Sequence, residues 1–338
     1  MTPARKKWLF ATIKLSIVLL VVWFAGRTVL AARAQLADST WQWRLGPGWL
    51  VMSGLLYLLG MLFAGLFWYR VLRDLGQEPY LGETLRAYFI GHLGKYVPGK
   101  AMVIVLRAGL LSGPRVDPAA AAAAVFVETM TMMAVGTALG AAVVAWLVPA
   151  GRLLFWGALG MTLVSVVPTF PPVFRLAVRV VGLRKWSPAA VEKILGLGCR
   201  TLLWGWMLNI PAWLLLGLGL WAALRGIGLD GLEPLRQLPQ YTCCVSLATV
   251  TGILSMIPGG LGARDAALAL LIETLLPQIH AAGSAAAGGM ALVASPQALV
   301  ASVMLRIIVL AAEAICAAVL YPMTFLRTDH AVGGDPRL

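Results

Sequence analysis

The chain has 338 residues, of which 60% are hydrophobic and 12% are charged, a composition typical of integral membrane proteins and not of soluble enzymes. The formal net charge of +13 would suit a nucleic-acid-binding protein, but the sequence contains no recognisable nucleic-acid-binding module. Many basic residues instead lie in short segments beside apolar spans, as the positive-inside rule describes. We therefore assign the excess charge to membrane topology and contact with anionic lipid, and expect no nucleic acid as a partner.

Metal and cofactor chemistry has little support in the sequence. The cysteines lie in apolar surroundings without CxxC spacing and the histidines are scattered, so neither set has the spacing of metal ligands. No nucleophile–base set and no GxxxxGK[ST] phosphate-binding run is recognisable. We predict no catalytic residues, no metal site and no cofactor. The residues concerned are Cys199, Cys243, Cys244, Cys316, His92, His280 and His330.

About six segments are apolar and long enough to be predicted as membrane-spanning helices, since a span needs about 20 residues. The first follows a basic lead at residues 5–7, and the loop 171–200 is the most basic in the chain. The positive-inside rule therefore predicts cytoplasmic N- and C-termini, and we expect a protein integral to the cell (plasma) membrane. The predicted spans are 8–32, 48–69, 119–148, 152–170, 201–224 and 297–325.

The segment 83–112 contains a basic loop, 94–100, with the sequence Gly-Lys-Tyr-Val-Pro-Gly-Lys. A simple span through this segment would place Lys95 and Lys100 near the middle of the bilayer, at a cost of roughly 2.5 to 3.5 kcal/mol each. Two short helices folded into a re-entrant hairpin around 94–100 avoid that cost. The alternative that also avoids it is an amphipathic segment lying at the interface.

The segment 239–277 is interrupted in the same way by the loop 255–265, Ser-Met-Ile-Pro-Gly-Gly-Leu-Gly-Ala-Arg-Asp. Proline lacks a backbone donor and the glycines loosen the chain, so no continuous helix is expected across this loop. The halves 241–256 and 263–276 are each too short to span a bilayer. We predict two half-helices meeting at a loop whose freed backbone groups need protein or water partners. The alternative is a Pro/Gly kink in an ordinary spanning helix.

The order span, span, interrupted segment, span occurs twice, which predicts an internal repeat of residues 1–150 and 151–338. Each unit contains an odd number of crossings, so the second unit is expected upside down relative to the first, with both loops approaching the midplane. Inverted repeats with discontinuous helices are typical of alternating-access transporters. The predicted fold class is an all-α integral membrane protein, a polytopic helical bundle of about six spanning helices and two re-entrant hairpins in an inverted repeat.

Ionisable groups are rare in membrane spans, so the cations in these segments are candidate substrate-binding residues. Lys95, Lys100 and Arg107 would attract a phosphate from the cytoplasmic side. Arg264 stands at the start of a half-helix, where free backbone N–H groups and the helix dipole also favour an anion. The alternative for the two lysines is snorkelling at the interface. The alternative for Arg264 and Asp265 is that they form a helix cap and an ion pair that only stabilise the hairpin.

The acids in these segments are predicted to balance the cations or to contact a cationic head group. Arg306 is expected to pair with Glu128 or Asp265, and a purely structural pair of Glu128 with Arg306 is the alternative. Glu313 lies nearer the cytoplasmic end of the last span and is not included. The predicted substrate-binding set is Lys95, Pro98, Gly99, Lys100, Arg107, Glu128, Pro258, Gly259, Gly260, Arg264, Asp265 and Arg306.

The loops 94–100 and 255–265 resemble those of the lysylphosphatidylglycerol synthase transmembrane (flippase-like) family. The resemblance covers about residues 7–326, and the second loop is its more specific part. The chain is similar to free-standing members that lack the soluble synthase domain, where aminoacyl transfer takes place. The resemblance implies movement of a lipid with a polar or charged head group between leaflets.

The sequence departs from the family pattern at two places within these segments. Asp265 stands where the family usually has Glu, so the acid is kept on a shorter arm. Glu128 is followed by Thr129 where Glu-Arg is common, which argues against an essential ion pair at that place. Arg306 agrees with the pattern, because relatives often carry Arg at this point of the last span.

These features together favour a lipid flippase-like translocator that moves a polar-headed phospho- or glycolipid through a midplane cavity by alternating exposure. Its expected partner is a membrane lipid with a phosphate-bearing head group. The first alternative is a noncatalytic membrane partner of a lipid- or envelope-synthesis enzyme, and the second is a membrane-embedded lipid transferase. A membrane-enzyme partner or a second copy of the chain is left open as a further partner.

Overall fold

The computed structural model describes residues 44–97, 101–147, 153–167, 198–255, 257–276 and 295–322. Several predictions fall outside these ranges. They include the first span, 8–32, nearly all of the basic loop 171–200, and the loop residues Pro98, Gly99 and Lys100. The predicted repeat units 1–150 and 151–338, the number of spans and the cytoplasmic placement of the termini therefore stay predictions.

The described part of the chain consists of α-helices joined by turns and loops, and it contains no β-strand. The predicted all-α fold class is confirmed. The helices are α1 (Pro47–Asp74), α2 (Leu81–His92), α3 (Ala101–Leu111), α4 (Pro118–Leu147), α5 (Leu153–Val166), α6 (Cys199–Gly226), α7 (Leu238–Leu254), α8 (Ala263–Leu275) and α9 (Pro296–Leu320). Two 3₁₀ turns, Leu93–Tyr96 and Pro258–Gly260, lie in the predicted loops.

Four described helices are long and apolar enough to cross a membrane, namely α1, α4, α6 and α9. They correspond to the predicted spans 48–69, 119–148, 201–224 and 297–325. Local signals explain some of their ends. Ser295 caps α9, because its hydroxyl accepts a hydrogen bond from the backbone N–H of Ala298 at 3.4 Å. Gly76, with φ of 73°, lies just beyond the C-terminus of α1.

Small residues bring the long helices close together, as is usual for helices in a membrane. Gly60 of α1 packs against α6, since a Cβ at this position would lie 3.0 Å from the carbonyl oxygen of Ala212. Ser53 of α1 donates a hydrogen bond of 2.7 Å to the carbonyl oxygen of Gly219. The indole of Trp213 lies against α4 and donates to the carbonyl oxygen of Met132 at 2.9 Å. Helices α1, α4 and α6 thus form a closely packed frame.

The segment 81–111 is a helical hairpin, which we call the first hairpin. In a continuous helix Gly91 and Arg107 would be about 24 Å apart, given a rise of about 1.5 Å per residue. A Cβ on Gly91 would instead lie 3.1 Å from the backbone nitrogen of Arg107, so α2 and α3 fold back against each other. Gly94 is in equally close contact with Val103. The predicted interruption of this segment is confirmed.

The segment 238–275 is the second hairpin, and it is folded in the same way. Gly252 and Arg264 would be about 18 Å apart in a continuous helix, but a Cβ on Gly252 would lie 2.9 Å from the Cβ of Arg264. The kinked spanning helix considered above is therefore wrong. The reversal occurs where Gly259 (φ 60°) and Gly262 (φ 78°) adopt left-handed backbone conformations that other residues rarely take.

The turns of the two hairpins touch each other, and α9 lies beside both of them. A Cβ on Gly259, in the second turn, would lie 3.0 Å from the ring of Tyr96, in the first. Helix α9 packs against α8 of the second hairpin and against α2 of the first. The loops at 94–100 and 255–265, far apart in the sequence, therefore meet at one place in the fold.

Candidate functional site

In the part of the chain that the structure describes, buried charged residues of the apolar segments gather where the two hairpin turns meet. Three carboxylates lie there, from α4, α8 and α9, and each is at least nine-tenths buried as a residue. Each makes an ion pair with a cation from another helix or turn. Pairing of this kind is what allows charges to remain in a low-dielectric interior. The three pairs are Glu128 with Arg107, Asp265 with Arg306, and Glu313 with Lys95.

The first pair fixes the first hairpin to α4. Arg107 donates from Nη1 to Oε2 of Glu128 at 2.9 Å, and the hydroxyl of Tyr88 donates to Oε1 at 3.1 Å. The Arg107 guanidinium also stacks over the Tyr88 ring, 3.8 Å from its centroid. Of the two partners expected for Arg306, the structure shows Asp265. Glu128 pairs with Arg107 instead, because α3 packs beside α4. Glu128 is thus ion-paired although Thr129 follows it in place of Arg.

The second pair holds the turn of the second hairpin. Arg306 donates from Nε to Oδ1 of Asp265 and from Nη2 to Oδ2, both at 2.8 Å, so the pair is bidentate. The same guanidinium donates to the carbonyl oxygens of Gly259 and Gly260 at 3.3 Å. Asp265 in turn accepts from the backbone N–H of Gly262 at 3.1 Å and so caps α8. Arg306 therefore satisfies carbonyl groups that the interruption of the helix sets free.

The third pair links the first hairpin to α9. Lys95 Nζ lies 2.5 Å from Oε1 of Glu313, and the same oxygen accepts a hydrogen bond from the hydroxyl of Tyr57. His92 Nε2 is 3.5 Å from this oxygen. Glu313 is 3% exposed, so it belongs to the buried site although its place near the end of the last span excluded it from the predicted set.

His92 joins the first and third pairs into one network. Its Nδ1 lies 3.1 Å from Nη2 of Arg107, and its Nε2 faces Glu313. Because a guanidinium can only donate, Nδ1 acts as the acceptor, and a neutral imidazole then carries its proton on Nε2. His92, Tyr57 and Tyr88 also belong to the site, although they are not in the set predicted from the sequence. Tyr88 and His92 could have been noted as polar side chains in the segment that leads into the basic loop, whereas Tyr57 lies in the separate span 48–69.

Arg264 differs from the other cations of the site. It is the second residue of α8 and is half-buried. Its charge acts electrostatically on four neighbouring side chains, Tyr57, His92, Lys95 and Tyr96. Within the described ranges it makes no hydrogen bond and no ion pair. Four cations therefore face three carboxylates, since Arg264 adds to Lys95, Arg107 and Arg306. Among the described residues, the site therefore carries one surplus positive charge.

The other predicted site residues are placed only in part. Gly259 and Gly260 contribute the carbonyl oxygens that Arg306 binds, and Pro258 begins their turn. Pro98, Gly99 and Lys100 lie outside the described residues. In the part of the chain that the structure describes, no three His, Cys, Asp or Glu side chains are grouped as metal ligands.

Comparison with known proteins identifies the family of this chain. The family model described as the lysylphosphatidylglycerol synthase TM region matches residues 11–311. The chain belongs to this family. Neither the search of curated proteins nor the search of solved structures found a match.

Membership in the lysylphosphatidylglycerol synthase TM family, together with four long apolar helices, makes this a membrane protein related to lipid synthesis or translocation. The matched residues include both hairpins and Arg306 of α9. Glu313 lies just beyond the matched range, which ends at residue 311. The ion pair between Lys95 and Glu313 thus joins a matched residue to one outside the match.

Proposed function

We propose that the protein moves a lipid with an anionic, phosphate-bearing head group between the two leaflets of a membrane. The observation that carries the proposal is the surplus positive charge at Arg264, in a site where every other described charge is paired. An unpaired cation in a low-dielectric site is costly, and a bound anion offsets that cost. A phosphate is the anionic group that most membrane lipids carry.

The surroundings of Arg264 fit a phosphate in a second respect. Arg264 is in the first turn of α8, where the backbone N–H groups have no partner within the helix and the helix dipole favours an anion. Arg264 also acts electrostatically on the Tyr57 and Tyr96 side chains. A head group at this point would therefore meet the Arg264 charge and backbone donors together.

The arrangement of the hairpins suggests how such a lipid would move. Both turns meet at the site, and each is attached to α9 by an ion pair, through Glu313 and through Arg306. Movement of one hairpin against α9 would open the site toward one leaflet, and movement of the other would open it toward the opposite leaflet. The acyl chains would stay in the bilayer while the head group passes between the turns, in the manner of alternating access.

A leaflet assay in reconstituted vesicles tests this proposal. Labelled anionic, zwitterionic and aminoacylated lipids are compared for the wild type, Arg264→Gln and a matched control, Arg225→Gln. Arg225 pairs with the exposed Asp230, and both residues lie outside the two hairpin segments, so its loss makes the same change of charge elsewhere. We expect the wild type and the control to move the anionic lipid fastest, and Arg264→Gln to lose most of that movement. Movement of no lipid, or equal movement by Arg264→Gln, would overturn the proposal.

A further inference from the structure

The three buried carboxylates of the site differ in whether they have an oxygen free to take a proton. Both oxygens of Glu128 accept hydrogen bonds, from Tyr88 and from Arg107. Both oxygens of Asp265 accept as well, from Arg306 and from the Gly262 backbone. Glu313 is different, because its hydrogen bonds from Tyr57 and Lys95 and its contact with His92 all go to Oε1. The Tyr96 side chain also interacts with this carboxylate. Its buried Oε2 has no hydrogen-bond partner among the described residues.

The cations of the three pairs also differ in whether they can release a proton. Arg107 and Arg306 are guanidinium groups, which stay protonated at any pH that a protein meets. Glu313 instead faces Lys95 and His92, two side chains that can give up or take a proton within a protein. The Glu313 cluster, which we define as Glu313, Lys95, His92 and Tyr57, is thus the part of the site suited to proton exchange.

From this geometry we propose that the Glu313 cluster is a proton-binding site that couples lipid movement to a proton gradient. The inference rests on the proposed function. A proton binds to Oε2, the new O–H bond converts the Glu313 carboxylate to a neutral acid, and no other bond changes. Lys95 then loses its counter-charge, so the surplus charge of the site rises from one to two. A site with two surplus charges binds an anionic head group more tightly, and by reciprocity a bound head group favours protonation.

Release completes the cycle. When the site opens to the opposite leaflet, the proton leaves Glu313 for water, the ion pair with Lys95 forms again and the head group is released. One proton and one singly charged anionic lipid cross together in the same direction. The transported charge sums to zero, so a pH gradient drives the movement and a membrane potential does not.

Several helices and the first turn contribute ionisable groups near the Glu313 cluster that could affect its titration. Helix α6 also packs against α9, but the ionisable side chains of its sequence, Cys199, Arg200 and Arg225, are at its ends. Glu128 and Asp265 are compensated by their arginines. The others are Tyr57 of α1, His92 of α2, Lys95 and Tyr96 of the first turn, Arg107 of α3, Arg264 of α8, and Arg306 and Cys316 of α9.

The test measures the steady-state ratio of a labelled anionic lipid between the leaflets of vesicles that contain the protein. A pH gradient is imposed while the membrane potential is held at zero, and then a potential is imposed without a pH gradient. For one proton per lipid the ratio shifts by up to about tenfold per pH unit, toward the more alkaline side. The potential alone leaves the ratio unchanged. Glu313→Gln, which keeps the shape of the side chain but cannot exchange a proton, removes the response to the pH gradient.

A control variant and a second readout keep the outcomes distinct. Glu83→Gln removes a half-exposed acid that pairs with Arg115 outside the site, and it retains the full response. Infrared difference spectra on acidification show a protonated carboxyl in the wild type that Glu313→Gln lacks. If the lipid moves but its leaflet ratio does not change with the pH gradient, the proton coupling is wrong and the proposed function is retained. Absence of any lipid movement overturns the proposed function, and absence of the infrared signal then overturns proton binding as well.

Discussion

The first hairpin (residues 81–111) and the second hairpin (residues 238–275) are attached to the bundle by charges of opposite sign. The first supplies the cations Lys95 and Arg107, and the acids that pair with them come from α4 and α9. The second supplies the acid Asp265, and its cation comes from α9. Helix α9 therefore forms an ion pair with each hairpin, through the acid Glu313 for the first and the cation Arg306 for the second.

The comparison also shows a difference in the kind of bond. The second hairpin is held by a bidentate pair between Arg306 and Asp265, in which the cation cannot release its proton. The first hairpin is held to α9 through Lys95, His92 and Glu313, all of which can exchange protons. Arg306 and Glu313 are about two helical turns apart on α9, or about 10 Å. Helix α9 thus carries both the Arg306–Asp265 pair, whose cation stays protonated, and the Glu313 cluster, whose side chains can exchange protons.

Replacement of Arg306 by Met gives the largest loss of stability that this comparison predicts. The change leaves Asp265 buried without its cation and leaves the carbonyl groups of Gly259 and Gly260 without a donor. We expect the free energy of unfolding to fall by about 3 to 5 kcal/mol, measured by denaturant unfolding in detergent. The double variant Arg306→Met with Asp265→Leu, which removes both charges, should recover part of this loss. An equal loss in the single and double variants would contradict the role of the pair.

Replacement of Lys95 by Met tests the first hairpin in the same way and should cost less. Glu313 keeps its hydrogen bond from Tyr57 and its contact with His92, and it can become neutral by taking a proton. We expect a loss of about 1 to 3 kcal/mol near neutral pH. The loss should shrink on acidification, because a protonated Glu313 no longer needs a counter-charge. A loss that is constant, or that grows, as the pH falls would show that Glu313 does not take up the proton.

Substitution of Gly259 by Ala is expected to have a smaller effect, confined to the contact between the two turns. Its φ of 60° is unfavourable for an L-residue, and the added Cβ would lie 3.0 Å from the ring of Tyr96. The left-handed conformation alone costs about 1 to 2 kcal/mol in thermal or denaturant unfolding. Gly109→Ala is the control from the first hairpin. It lies in a helix with open space around it, and should be neutral or stabilising by up to about 1 kcal/mol.

The sequence could predict the interruptions of the helices because their physical causes are local. Pro and Gly in the loops 94–100 and 255–265 prevent a continuous helix, and the lysines of the first loop make a simple span costly. The pairing of charges could not be read in the same way. The partner of Glu128 depends on which helix packs beside α4, and two arginines, Arg107 and Arg306, were available in the sequence.

Other members of the site could not be recognised because their significance depends on depth and on contacts between distant segments. Tyr57, Tyr88 and His92 are ordinary polar side chains in helical segments until the hairpin brings them against buried acids. Glu313 is near the end of its span in the sequence, but the turn of the first hairpin reaches it in the fold. Helix boundaries and hairpins are thus local properties, whereas the charge network is a property of the packing.

The central claim is that the surplus charge at Arg264 selects an anionic head group, and reversal of that charge tests it most directly. The rates at which labelled anionic and aminoacylated, cationic lipids change leaflets are measured in vesicles with the wild type and with Arg264→Glu. The surplus charge at Arg264 predicts that the ratio of the anionic to the cationic rate falls at least about tenfold in the variant, which corresponds to about 1.4 kcal/mol. If both lipids move in the variant and the ratio of the anionic to the cationic rate is unchanged, Arg264 does not select lipids by head-group charge and the claim is wrong.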